Sequence, residues 1–141
     1  MKNYIIDTNA LISFVTDRNP AQQDKVAKLL GSAAQLKVRV LCPQNVITEF
    51  AYVMDSVYRI DKSEIRAIVR DFIKLPGVEI VHQLSLKTLF TFWPDKVPDY
   101  GDAIIAALCQ DTRGASVATF DRKFKTKLMR LGLAVHSYDK S

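Results

Sequence analysis

Four carboxylic acids stand in segments that a folded chain could bring together: Asp7 in IIDTNALI, Glu49 in ITEF, Asp102 in DYGDAIIAAL and Asp121 in VATFDRKF. A fifth, Asp99, lies three residues before Asp102. Two carboxylates about 5 Å apart at an effective dielectric of about 20 repel by roughly 3 kcal/mol. A group of four would approach a domain's whole stability of about 5–15 kcal/mol. Such a group needs protons or a cation. With no His or Cys among these acids, an all-oxygen set selects a hard divalent ion, Mg²⁺ or Mn²⁺. Each acid also has a structural explanation. Asp7, Asp99 and Asp121 each sit where an N-cap would be, Asp102 suits the third position of a helix, and Glu49 could be a solvated position on an amphipathic helix. The roles are compatible, because a capping carboxylate keeps a second oxygen.

Other chemistry is poorly supported. The chain has two histidines, His82 and His136, both outside the acidic segments. A histidine pair for general acid–base work and a Ser-His-Asp arrangement are therefore both missing. No Gly-rich phosphate loop occurs. Cys42 and Cys109 have no second cysteine or histidine beside them and read as buried free thiols. Immediately after Asp121 come Arg122, Lys123, Lys125, Lys127 and Arg130. Lys123, Lys127 and Arg130 share a helix face, which is either a solvated basic surface or a set of phosphate contacts. Tyr100, Phe14 and Trp93 are either packing residues or rings that stack on unpaired bases.

The elements that must position the acids alternate between strand and helix. NYIID, VRVLC, VEIVH, SVATF and AVHSY read as five strands. Helices are expected in TNALISFVT, NPAQQDKVAKLLGSAAQ, PQNVITEFAYVMDSVYR, DKSEIRAIVRDFIKL, SLKTLFTFW, DYGDAIIAALCQD and DRKFKTKLMRLG. Asn19 is the expected cap of the second, Asp61 with Glu64 forms a capping box for the fourth, and Gly132 closes the last. Unbroken apolar strands separated by helices predict a mostly parallel five-stranded sheet covered on both faces, a three-layer α/β/α sandwich. With strand order 3-2-1-4-5, Asp7 and Asp121 end neighbouring strands at the carboxyl edge, where ligands of open α/β sheets bind.

The 141 residues predict one domain, 1–141, with 48% hydrophobic and 25% charged residues. No charge-free stretch approaches the ~18 residues of a membrane span, and Asp7 interrupts any leader-like start. A cytoplasmic protein without membrane contact is expected. Net charge is +5. With four of the 15 acids gathered in one place, 20 basic residues face 11 acidic ones elsewhere, a balance suited to a polyanion held broadly and attacked locally.

Taken in order, IIDTNALI, ITEF, DYGDAIIAAL and VATFDRKF resemble the motifs of PIN-domain nucleases, and particularly VapC-type toxin ribonucleases of toxin–antitoxin pairs. The likeness covers nearly the whole chain. It implies the α/β/α sandwich and a metal-dependent endoribonuclease acting on structured RNA such as tRNA or rRNA. The catalytic acids would be Asp7, Glu49, Asp102 and Asp121. Asp7 and Asp102 match the principal metal positions, and Glu49 or Asp121 would hold a second ion or the attacking water. Asn9 and Thr119 match supporting polar positions, with Asp99 nearby, and Arg122, Lys123, Lys127 and Arg130 are the expected RNA contacts. A homodimer and an antitoxin partner are implied. Competing readings are a PIN-type RNA-processing nuclease that is not a toxin, and a catalytically silent RNA- or protein-binding module. A D-x-D phosphatase would want an acid where Asn9 stands.

Overall fold

The computed structural model describes residues 1–138. Five parallel strands form one sheet in the order β3-β2-β1-β4-β5: β1 Lys2–Ile6, β2 Val38–Pro43, β3 Val78–Val81, β4 Ala115–Ala118 and β5 Val135–His136. The last strand is two residues long, where AVHSY suggested five. The helices are α1 Thr8–Val15, α2 Pro20–Ala34, α3 Gln44–Ser56, α4 Lys62–Ile73, α5 Leu86–Phe92, α6 Tyr100–Asp111 and α7 Arg122–Arg130. Connections β1→β2 and β2→β3 step one way along the sheet, and those to β4 and β5 step the other way. Right-handed crossovers then put α1–α4 on one face and α5–α7 on the opposite face. The packing agrees: α1 lies against α2 and α3, α3 against α4, and α5 against α6.

The three central strands are buried toward their carboxyl ends. Ile5, Ile6, Val40, Cys42, Val117 and Ala118 have no exposed surface. Each fully buried Ile or Val contributes about 1.5–3 kcal/mol. Covering both faces explains why these strands read as continuous apolar runs rather than alternating ones. Cys42 and Cys109 are free and buried.

Local chemistry sets the ends of the elements. The Asn19 side chain accepts from Gln22 N and Pro20 opens α2. Gly77 has φ +80° and a Cβ there would collide with the Ala33 carbonyl, so only glycine lets β3 start against α2. Gly132, at φ +77°, ends the last helix as expected. One expected cap does not form. Helix α4 begins after Asp61, with Glu64 in its first turn, but the Asp61 side chain makes no capping hydrogen bond. Ile65 near the start of α4 and Phe72 near its end are the buried residues of that helix.

Candidate active site

The site begins with strand register. Ile6 of β1 is paired with Ala118 of β4, so the next residues, Asp7 and Thr119, leave the sheet side by side. Both are buried. The Thr119 hydroxyl donates to Asp7 Oδ2. Asp7 Oδ1 accepts from Ala10 N at 2.9 Å and caps α1. Asp121 N donates to Thr119 Oγ1 at 3.1 Å, while Asp121 Oδ1 caps α7 by accepting from Phe124 N at 3.1 Å. One buried hydroxyl thus couples the two acids at the ends of β1 and β4. Capping and site roles coexist at both, as a carboxylate with two oxygens allows.

Glu49 arrives from α3. The Thr8 hydroxyl donates to its Oε2 at 2.8 Å. Its other oxygen lies against Gly101, where a Cβ would overlap Glu49 Oε1 and come within 3.3 Å of Asp99 Oδ1. Asp99 caps α6 by accepting from Asp102 N at 2.9 Å. Asp102 follows in the first turn of the same helix. Together these residues line a cleft of about 270 Å³, with Asn9 also on its wall and Ile12, Val53 and Ile105 as its apolar part.

The electrostatics record the convergence. Burial raises the Asp102 carboxyl to about 7, with further upward contributions from Asp99, Asp121, Asp7 and Glu49 in that order. Asp7 is also pushed up from the carboxylate range, first by burial and then by Asp121, against the lowering effect of its bonds from Thr119 and Ala10. All five acids therefore act on one small volume. Among the described residues no three Asp, Glu, His or Cys side chains are drawn up as a finished metal-ligand set. The donors facing the cleft are all oxygen, which suits a hydrated hard cation that binds through one or two carboxylates and keeps several waters.

The four acids and Asp99 converge as the sequence spacing suggested, and Asn9 and Thr119 join them. Thr8 and Gly101 were missed. The signal for each lay inside the motifs, as the residue beside Asp7 and the small residue between Asp99 and Asp102. Arg122, Lys123, Lys127 and Arg130 lie on α7, which starts at Asp121, and do not line the cleft. Phe124 and Leu128 form the buried face of that helix. Phe14 packs against the core. The two histidines are outside the acidic cleft.

The sequence matches the PIN domain family over residues 4–127. The chain belongs to the PIN-domain family. No curated protein matches it. Among solved structures, this PIN domain is similar to VapBC2 from Rickettsia felis bound to a DNA fragment from their promoter. Identity there is 20%, 95% of this chain and 97% of that one are covered, and the TM-score is 0.68. It is similar to PAE2754 from Pyrobaculum aerophilum at 18% identity, with coverage of 89% and 84% and a TM-score of 0.61. The PIN domain endonuclease Utp24 aligns at 18% identity, with coverage of 96% and 86% and a TM-score of 0.53. Likeness at this identity establishes the fold, the sheet of order 3-2-1-4-5; PIN domain nucleases are generally hydrolytic and typically use divalent metals.

Proposed function

We propose that this PIN domain is a metal-dependent endoribonuclease, the toxin of a type II toxin–antitoxin pair, that hydrolyses phosphodiester bonds in structured RNA. The observation that carries the reading is the convergence of Asp7, Glu49, Asp99, Asp102 and Asp121 on one cleft, where burial and the other four acids raise the Asp102 carboxyl. A site so unfavourable to its own charges is suited to a divalent cation and, through it, to a phosphate.

Asp7 and Asp102, with Asp121, would hold Mg²⁺ or Mn²⁺. The bound ion supplies polarisation of a phosphoryl oxygen and a lowered pKa for a bound water. The Thr119 hydroxyl keeps Asp7 in its buried orientation. Glu49, fixed by Thr8, offers its second oxygen toward the cleft to orient the attacking water. Attack by water needs no ribose 2′-OH, so the products would carry a 5′-phosphate and a 3′-hydroxyl. Arg122, Lys123, Lys127 and Arg130 would hold the flanking backbone.

Activity in the cytoplasm is part of the reading, and no helix among the described residues is long and apolar enough to cross a membrane. An antitoxin would use the groove between α3 and α4, about 500 Å³, with Ile47, Ala51, Tyr52, Ile65 and Val69 as its apolar lining. A homodimer completes the assembly. The likeness to one half of a VapBC pair supports this choice. A second reading is an RNA-processing PIN nuclease that is not a toxin; the likeness to the PIN domain endonuclease Utp24 supports the endonuclease part of it.

The test is incubation of the purified protein with small structured RNAs in Mg²⁺, in Mn²⁺ and in EDTA. Cleavage is expected with metal and not with EDTA, and Asp7→Asn should abolish it while leaving the fold intact. Full cleavage by that variant would overturn the site. RNA binding without cleavage would select the silent module.

A further inference from the structure

We propose that Phe90, Trp93 and Tyr100 form a platform on which unpaired bases of the RNA substrate stack beside the acidic cleft; this rests on the nuclease reading above. Phe90 lies in the last turn of α5 and Trp93 is the residue that ends it, and their rings are neighbours. The Trp93 indole N–H donates to the Pro98 carbonyl at 3.0 Å, which anchors the ring across the loop to α6. Tyr100 meets the indole edge-on, with centroids 5.1 Å apart and an interplanar angle of 86°. Phe90 lies on its other neighbour position at 6.4 Å. The three rings form one row in which Trp93 packs partly against the core while its two neighbours reach solvent. Phe90 is 60% exposed and Tyr100 is 45% exposed.

Position argues for nucleic acid as the occupant. Tyr100 stands between Asp99 and Gly101, and both of these line the cleft. The row therefore starts one residue from the cleft wall without lining the cleft itself, which leaves it within reach of a nucleotide next to one whose phosphate enters the cleft. Stacking on aromatic faces tolerates any base, and loss of a stacked ring weakens binding about tenfold or more. Lys87, one turn before Phe90 and exposed, provides a cation for the backbone. A duplex, whose bases are already stacked, would gain nothing from the rings.

Trp93 is the only tryptophan, so its fluorescence reports on this surface alone. The experiment titrates the Asp7→Asn protein in EDTA with fluorophore-labelled oligoadenylate of about ten nucleotides, long enough for a single-strand site. A duplex of equal length is the comparison. Trp93 emission and label anisotropy are read together. Saturable quenching by the single strand and none by the duplex is expected. Phe90→Leu should weaken single-strand binding about tenfold and Phe90→Tyr should restore it, because a ring rather than apolar bulk is needed. Sedimentation mass should be the same for all three. The platform is overturned if the oligonucleotide does not bind, if it binds without a Trp93 response, or if Phe90→Leu binds like its parent. It is also overturned if Phe90→Leu alters the sedimentation mass, which would mark the row as a contact between copies of this chain. Cleavage by the wild-type protein in Mg²⁺ is measured in parallel. Cleavage with no Trp93 response removes the platform alone, whereas quenching with no metal-dependent cleavage removes the nuclease reading.

Discussion

Asp102→Asn should inactivate the protein and make its metal-free form more stable. Asp102 moves from an ordinary value of 3.8 to about 7, with burial as the main cause and Asp99, Asp121, Asp7 and Glu49 as the rest. A shift of about three units corresponds to about 4 kcal/mol. The carboxyl is only half-buried, so solvent screening reduces this to about 2 kcal/mol. Against it stands the favourable interaction of an acid with the first turn of α6, about 0.5 kcal/mol. The net gain for Asn is about 1.5 kcal/mol, or roughly 5 °C in Tm for a chain of this size. The sign follows from linkage. A carboxyl whose folded value is raised contributes stability that is fully present below about 3.8 and is lost as pH rises through about 7. The gain should therefore be full at pH 8 and fall to about a quarter at pH 4.5, where folded Asp102 is protonated but the unfolded carboxyl is still mostly ionised. Thermal and urea unfolding in EDTA at the two pH values measure it. Saturating Mg²⁺ should reverse the order, since an ion at 100 times its Kd stabilises the wild-type protein by about 2.7 kcal/mol. A variant less stable than wild type in EDTA at pH 8, or a gain equal at both pH values, would refute the electrostatic reasoning.

Gly101→Ala tests the clearance around Glu49. The added methyl meets the tip of a flexible side chain, and alanine favours a helix over glycine by about 1 kcal/mol, so Tm should hold or rise while kcat falls at least tenfold. Loss of folding instead would show that the helix backbone cannot accept a side chain there. Thr119→Val removes the donor to Asp7 and the acceptor for Asp121 N, both in buried or half-buried surroundings. It should cost about 2–3 kcal/mol in urea unfolding, with loss of cleavage even after metal is raised. Asn19→Ala should lose about 1 kcal/mol, whereas Asp61→Ala should be within about 0.5 kcal/mol of wild type, because only the first side chain caps its helix. Cys42, pushed up to about 12 by burial, should resist thiol reagents at pH 8 until urea unfolds the protein. Rapid native labelling of Cys42 would show that the β2 core opens.

Much of the site was legible because its acids lie in segments whose local pattern is strong. The apolar run before Asp7 and the one before Asp121 announce strands, and acids that follow buried strands collect at the carboxyl edge of a parallel sheet. The α6 cap was readable too, since Asp99 and Asp102 have the three-residue spacing that a first turn demands. The Asp61–Glu64 pair has the same spacing, yet the Asp61 side chain makes no capping hydrogen bond. Spacing states which bond is possible; packing around the helix start states whether it forms.

Residue type and periodicity alone determined the strand–helix alternation, the number of strands, and the set of acids that repel one another without a cation. They act within a few residues, so the chain itself records them. Tertiary structure decided the rest: the Ile6–Ala118 pairing that sets Asp7 beside Thr119, the Thr8 bond to Glu49, the bare Cα of Gly101, and the meeting of Phe90, Trp93 and Tyr100. These contacts join segments far apart in the chain or turn on the angle at which helices meet. Register and packing set those distances, and no local pattern encodes either.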